Sequence, residues 1–208
     1  LIVGIDGATF DLMGPWARQG KLPNVAALME AGSHGDLTST WPPITAPAWT
    51  SFQTGCNPGK HGVYDFLTPD VRSDAVVDSG SICVPTLWHR LSDAGRRVGL
   101  VNVPMTFPPP EINGPVIGGL LSSGNPAECA RPPDLIRRLE ERTGRRWWQH
   151  DRRRYVPSRP LRFLEAKKES NHTIGVFARE MLRGEDFDVF MVVFNVVDTV
   201  SHFFWHFM

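Results

Sequence analysis

The chain has 208 residues, 41% of them hydrophobic, and its 22 basic and 22 acidic residues cancel to a formal net charge of zero. That length can bury a sizeable core in one domain, and that composition suits an ordinary globular protein. Neutrality excludes a global electrostatic pull toward nucleic acid or an anionic membrane, and no apolar run approaches the roughly 20 residues of a membrane span. The three cysteines, Cys56, Cys83 and Cys129, are far apart and form no C-x-x-C pair. They argue against a disulfide framework or a cysteine zinc site and favour a reducing, cytoplasmic setting.

Residues 1–5 form a short apolar run that ends in Asp6-Gly7. A buried strand with an acid at its end is a common α/β layout, because ligands gather at the carboxyl edge of an open sheet. Asp6 also suits a plain turn. The spacing predicts helices over 10–19 and 23–30, the second held between Pro23 and Gly32, and a strand over 35–40.

Pro42 and Pro43 keep the next approach extended, since the residue before a proline is driven out of the α region. Thr45 then stands where a helix begins. Pro47 falls in its first turn, where proline is tolerated, and Gly55 stops it. A hydroxyl here faces unpaired N–H groups and the positive end of the helix dipole, which favour an alkoxide or a bound phosphate. An isolated Thr in this setting is ordinarily a helix cap.

A further helix is predicted over 85–94, stopped by Gly95, and strands over 98–103 and 116–121. The alternation predicts an α/β fold, a largely parallel central sheet with helices on both faces. Residues 1–130 form the first part of that core. Residues 131–160 read as an arginine- and tryptophan-rich excursion or cap, with acidic residues interleaved among the arginines. Residues 161–208 return to the core with a long helix over 161–182 and a central strand over 188–197. After that strand come Asp198 and His202, four apart and on one side of a helical turn, in a mixture that suits zinc.

Together these residues resemble the alkaline phosphatase superfamily, and within it the type I phosphodiesterase/nucleotide pyrophosphatase branch. The resemblance rests on G-I-D-G at 4–7, on D-x-x-x-H at Asp198 and His202, and on one long spaced pattern. That pattern, P-x-x-T-x-P-x-x-x-S-x-x-T-G-x-x-P-x-x-H-G, runs from Pro42 through Thr45, Pro47, Ser51, Thr54 and Pro58 to His61 and Gly62. It implies an alkaline-phosphatase-like fold and metal-dependent hydrolysis of phosphate esters through a phospho-threonine intermediate. Thr45 would be the nucleophile and, with Asp6, a ligand of one metal; Asp198 and His202 would serve a second. Two divalent ions are implied, zinc by ligand type, with manganese or iron also suited to an oxygen-rich site.

The implied partner is a small phosphorylated substrate, with no nucleic acid polymer and no membrane segment. A phosphomutase or phosphoglycan transferase would share this chemistry, and a non-catalytic scaffold would keep the fold without it. Two departures stand out. The family's later D-H-G segment and final histidine do not occur before Met208, so the chain reads as a fragment of a longer enzyme. Tyr64-Asp65-Phe66 stands where nucleotide pyrophosphatases carry a phosphate-binding Asn, and Asn102 is the candidate replacement donor. The stretch CNPGK at 56–60 superficially resembles the sulfatase C-x-P-x-R signature, but its cysteine follows the helix and Lys60 replaces the arginine.

Overall fold

The computed structural model describes residues 1–68, 75–120, 122, 124–147 and 155–207. Its centre is a five-stranded sheet in the order β1-β5-β2-β3-β4. The strands are β1 (Ile2–Ile5), β2 (Val98–Val103), β3 (Val116–Gly118), β4 (Ala130–Arg131) and β5 (Val189–Phe194). All neighbours pair in parallel except β3 with β4. Strand β5 sits between β1 and β2, with Ile2 level with Met191 and Val98 level with Val189. Continuous apolar, β-branched sequence is what a strand buried on both faces requires, and β2 is buried at every position.

Helices cover both faces. On one, Trp88 of α5 (Leu87–Asp93) and Trp49 of α3 (Thr45–Thr54) pack on Val98, Leu100, Met191 and Val193. On the other, α6 (Leu135–Thr143) and the 25-residue α7 (Pro160–Gly184) cover Val101, Ile117, Phe190 and Val192. Each fully buried side chain of this size stabilises the fold by about 1.5–3 kcal/mol. Helices α1 (Phe10–Arg18) and α2 (Pro23–Ala31) follow β1, and the short α4 (Pro58–His61) follows α3. Helix α8 (Val196–Phe204) follows β5 and packs on α7. No helix among the described residues is long and apolar enough to cross a membrane.

Four expectations change. Residues 35–40 form no strand, and Leu37 is 92% exposed there. β3 stops at Gly118. The apolar run over 188–197 is divided, with β5 ending at Phe194 and α8 starting at Val196. The arginine-rich stretch is not an excursion over its described part. Its apolar residues Leu135, Ile136, Leu139 and Trp147 belong to the core, Trp147 stacked on Phe177 at 5.5 Å between ring centres.

The arginines themselves turn outward into ion pairs, Arg138 with Asp134, Arg137 with Glu141, Arg145 with Glu169 and Arg146 with Glu140. Exposed pairs of this kind contribute about 0–1 kcal/mol each, so they solvate the surface more than they stabilise it. Arg152, Arg153 and Arg154 lie outside the described residues.

Candidate active site

The carboxyl edge of β1 and β5 brings three of the expected residues together. The Asp6 N–H donates to the Phe194 carbonyl at 2.9 Å, and the Asp6 carbonyl accepts from the Asp198 N–H at 3.1 Å. The first ties the end of β1 to the end of β5 and the second to the first turn of α8, so the main chains of Asp6 and Asp198 are held in contact. Gly7 makes that approach possible. Its φ is +71°, and a Cβ there would lie 2.6 Å from the Asp198 Cα. One turn further along α8, His202 Nε2 lies 3.4 Å from Asp198 Oδ1.

Burial pushes the Asp6 carboxyl above the usual carboxylate range, and the neighbouring Asp198 charge pushes it the same way. The Trp49 hydrogen bond, the Gly7 backbone and His202 pull it back. A buried carboxylate beside a second one is costly without a cation.

Thr45 sits at the first position of α3. Ile44 fills the N-cap position with extended backbone, and no side chain caps the helix. The Thr45 hydroxyl is half-buried and makes no hydrogen bond among the described residues, so it is not spent as a cap. Pro47 carries no N–H, and the Ala48 N–H donates to Ile44, which leaves the Thr45 and Ala46 N–H groups at the helix start.

One turn below Thr45 on the same face is Trp49, a residue to which the sequence reading assigned no role. Its Nε1–H donates to Asp6 Oδ1 at 3.0 Å. Its ring lies against Gly4, where a Cβ would come within 2.6 Å of the indole. Trp49 therefore fixes the helix that begins with Thr45 to the strand that ends in Asp6. The available signal was the four-residue spacing from Thr45, together with the rule that a buried indole N–H seeks an acceptor. A cleft of about 480 Å³ opens beside Asp6, between Trp49, Phe52 and residues 38–40.

Ser51 and His61 form a second pair inside the spaced motif, with Ser51 Oγ 2.8 Å from His61 Nε2. It is not a nucleophile and base. The Val63 N–H donates to His61 Nδ1 at 3.1 Å, so the ring proton is on Nε2 and the imidazole donates to the serine. His61 is fully buried and ties α4 to α3.

Burial holds the His61 pKa below its ordinary 6.5. The unfolded chain thus takes up a proton near pH 6.5 that the folded chain refuses. His61 lowers stability as the pH falls from about 6.5 toward the folded-state value, and has no such effect above it. We expect wild-type protein to be less stable to urea at pH 5.5 than at pH 7.5, and His61→Gln to flatten that dependence. Identical pH dependence in the two proteins would refute the assignment.

Asn102 lies elsewhere. It occupies an irregularity in the pairing of β2 with β3, with φ +58°, and is 3% exposed. Its Nδ2 donates to the Val193 carbonyl at 2.8 Å. That bond belongs to the sheet, and Asn102 lines a separate small cavity rather than the Asp6 cleft.

A family model described as type I phosphodiesterase / nucleotide pyrophosphatase matches residues 1–207. The chain belongs to that family. Phosphoester hydrolysis is the general chemistry its membership supports, and the type I phosphodiesterase family is generally metal-dependent. No curated protein and no solved structure matches the chain.

Among the described residues, no three His, Cys, Asp or Glu side chains are grouped so as to hold a metal ion. The donor chemistry still fits a divalent cation in part. Asp6 and Asp198 place two carboxylates at one edge, the second raising the proton affinity of the first, and His202 adds a nitrogen beside them. Asp6 Oδ1 already accepts the Trp49 hydrogen bond.

Proposed function

We propose that this type I phosphodiesterase hydrolyses small phosphate esters in two steps through Thr45. The observation that carries the reading is the uncapped Thr45 hydroxyl at the start of α3, on a helix anchored to Asp6 by the 3.0 Å Trp49 hydrogen bond. In the first step Thr45 Oγ1 forms a bond to phosphorus as the bond from phosphorus to the leaving alkoxide breaks; the threonine proton passes to solvent, and the alkoxide takes one up from solvent to leave as the alcohol. In the second, water attacks phosphorus and the Thr45 oxygen leaves with a proton. The balance is one ester and one water consumed, one alcohol and one phosphate product released.

The chain's own contributions are positional. The Thr45 and Ala46 N–H groups face the phosphoryl oxygens, and the helix dipole favours the negative charge that gathers there. Trp49 keeps Asp6 and the nucleophile helix in register. Asp6 and Thr45 would hold one divalent ion, and Asp198 and His202 a second, zinc by their donor types. Such ions, when bound, lower the pKa of the attacking hydroxyl and neutralise charge on the phosphoryl group.

The test is covalent trapping. Acid quench of the protein during turnover of bis(p-nitrophenyl) phosphate, followed by peptide mass mapping, is expected to find the phosphoryl group on Thr45. Turnover with no label on the 45–54 helix would refute the two-step reading. Products formed in the presence of alcohol acceptors separate a hydrolase from a phosphomutase or phosphoglycan transferase, and absence of all turnover and label favours a scaffold.

A further inference from the structure

The cleft beside Asp6 has a volume of about 480 Å³, the scale of a small-molecule pocket. Its apolar lining is Ile5 of β1, Leu37 of the segment before α3, and Ala48, Trp49 and Phe52 of α3. Leu37 is 92% exposed and Phe52 47%, and the Phe52 ring meets Trp49 edge-on at 5.8 Å between ring centres. One exposed apolar side chain is ordinary on a protein surface. Here two, fifteen residues apart in the chain, line one cleft together with the tryptophan that holds Asp6.

Much of the polar lining is already engaged. The Trp49 Nε1–H donates to Asp6, Ser51 Oγ accepts from His61, and Thr40 Oγ1 donates to the Pro42 carbonyl at 2.9 Å. Asp6 is the only ionisable residue among the described lining, and no Lys, Arg or His stands there to pair with an anion. What the cleft offers a ligand is apolar surface beside an acid.

Its position follows from α3. Thr45, Trp49 and Phe52 are spaced four and three apart, so they share one helix face, with Phe52 about 10 Å along the axis from Thr45. In an in-line displacement the leaving oxygen departs opposite the attacking one. With Thr45 Oγ1 attacking from the start of α3, the leaving group points away from the helix. The ester group that stays on phosphorus projects to the side of that line, and one such direction runs down the α3 face into the cleft. We infer that the cleft seats this retained group, that the group is uncharged and apolar, an aryl group or a short alkyl chain, and that Phe52 selects for it. The inference deepens the proposed reaction and rests on Thr45 as its nucleophile. The substrate is then a diester, since a monoester has no second organic group to seat.

The experiment compares two diesters that lose the same p-nitrophenolate and differ in the group retained, bis(p-nitrophenyl) phosphate and methyl p-nitrophenyl phosphate. The readout is the ratio of their kcat/KM values, so any general loss of activity cancels. Phe52→Ala is expected to lower that ratio about tenfold, the scale of a lost aromatic contact in a pocket, and Phe52→Leu to recover part of it. Leu37→Ser, at an exposed position where no core packing is lost, is expected to lower it less. Urea unfolding checks the fold of each. Equal ratios in folded wild type, Phe52→Ala and Leu37→Ser overturn the inference.

A binding arm works without turnover. Calorimetry of Thr45→Ala with diphenyl phosphate and with dimethyl phosphate, both monoanions, is expected to show the diphenyl ester bound about tenfold tighter, and Phe52→Ala on that background to remove the difference. Equal affinity for the two esters overturns the inference, and where wild type turns over neither p-nitrophenyl diester this titration decides alone. The two readings fail separately. Activity surviving in Thr45→Ala sinks the nucleophile assignment, whereas an inactive Thr45→Ala with an unchanged ratio in Phe52→Ala sinks only the retained-group pocket.

Discussion

Thr45→Ala is expected to lower kcat/KM by about 10⁴-fold or more, the scale on which hydrolases lose activity with their nucleophile. The same substitution is expected to change stability by no more than about 0.5 kcal/mol. The two halves have one structural cause. Among the described residues the Thr45 hydroxyl caps no helix and makes no hydrogen bond, so its removal breaks no contact seen there. Alanine is also the better helix former at that site. Thr45→Ser, which keeps the oxygen, should retain most of the activity. The check is steady-state kinetics on a phosphodiester beside urea unfolding of all three proteins. Near-normal turnover by the alanine variant would remove Thr45 from the chemistry, while a large loss of stability would show that the hydroxyl has a structural partner.

This reading was legible where local rules decide. β1, β2 and the helices α1, α2, α3 and α7 follow from apolar runs closed by Gly, Pro or a change of period, and the Asp198–His202 pair follows from helical spacing. What depended on distant partners was not legible. Residues 35–40 have the make-up of a strand, but strand propensity is realised only against a neighbour, and here Leu37 stays exposed. The run over 188–197 is uniformly apolar, and such a run cannot say by itself where strand gives way to helix. The arginines of 131–147 drew attention from Leu135, Ile136 and Leu139, whose spacing marks one face of an amphipathic helix.

The same limit applied to the site. Asp6, Thr45 and Asp198 could be picked out singly, each beside a plausible bland role. The residue that joins two of them, Trp49, lies 43 positions from Asp6 along the chain. Only the fold makes that bond visible.

Gly7 is where the fold and the candidate site share one constraint, and Gly7→Ala is expected to cost about 2–5 kcal/mol of stability. Two effects add. An L-residue held near φ +71° costs about 1–2 kcal/mol, and forcing a methyl into a filled space typically costs about 1–3 kcal/mol. Here the methyl would meet the Asp198 backbone at 2.6–2.9 Å, which cannot swing aside as a flexible side chain would. Gly20 supplies the control, because its φ of +73° is nearly the same and nothing lies within 4 Å of its would-be Cβ. Gly20→Ala should therefore show the conformational cost alone, and Gly7→Ala clearly more, by urea unfolding. The excess measures how tightly the start of α8 is pressed against the end of β1. Relief of that contact must move Asp198 away from Asp6, so Gly7→Ala should also lose turnover out of proportion to Gly20→Ala. Equal losses of stability in the two variants would mean that the edge is loose, and that the carboxylates are not held together by the backbone as the Asp6–Asp198 hydrogen bond indicates.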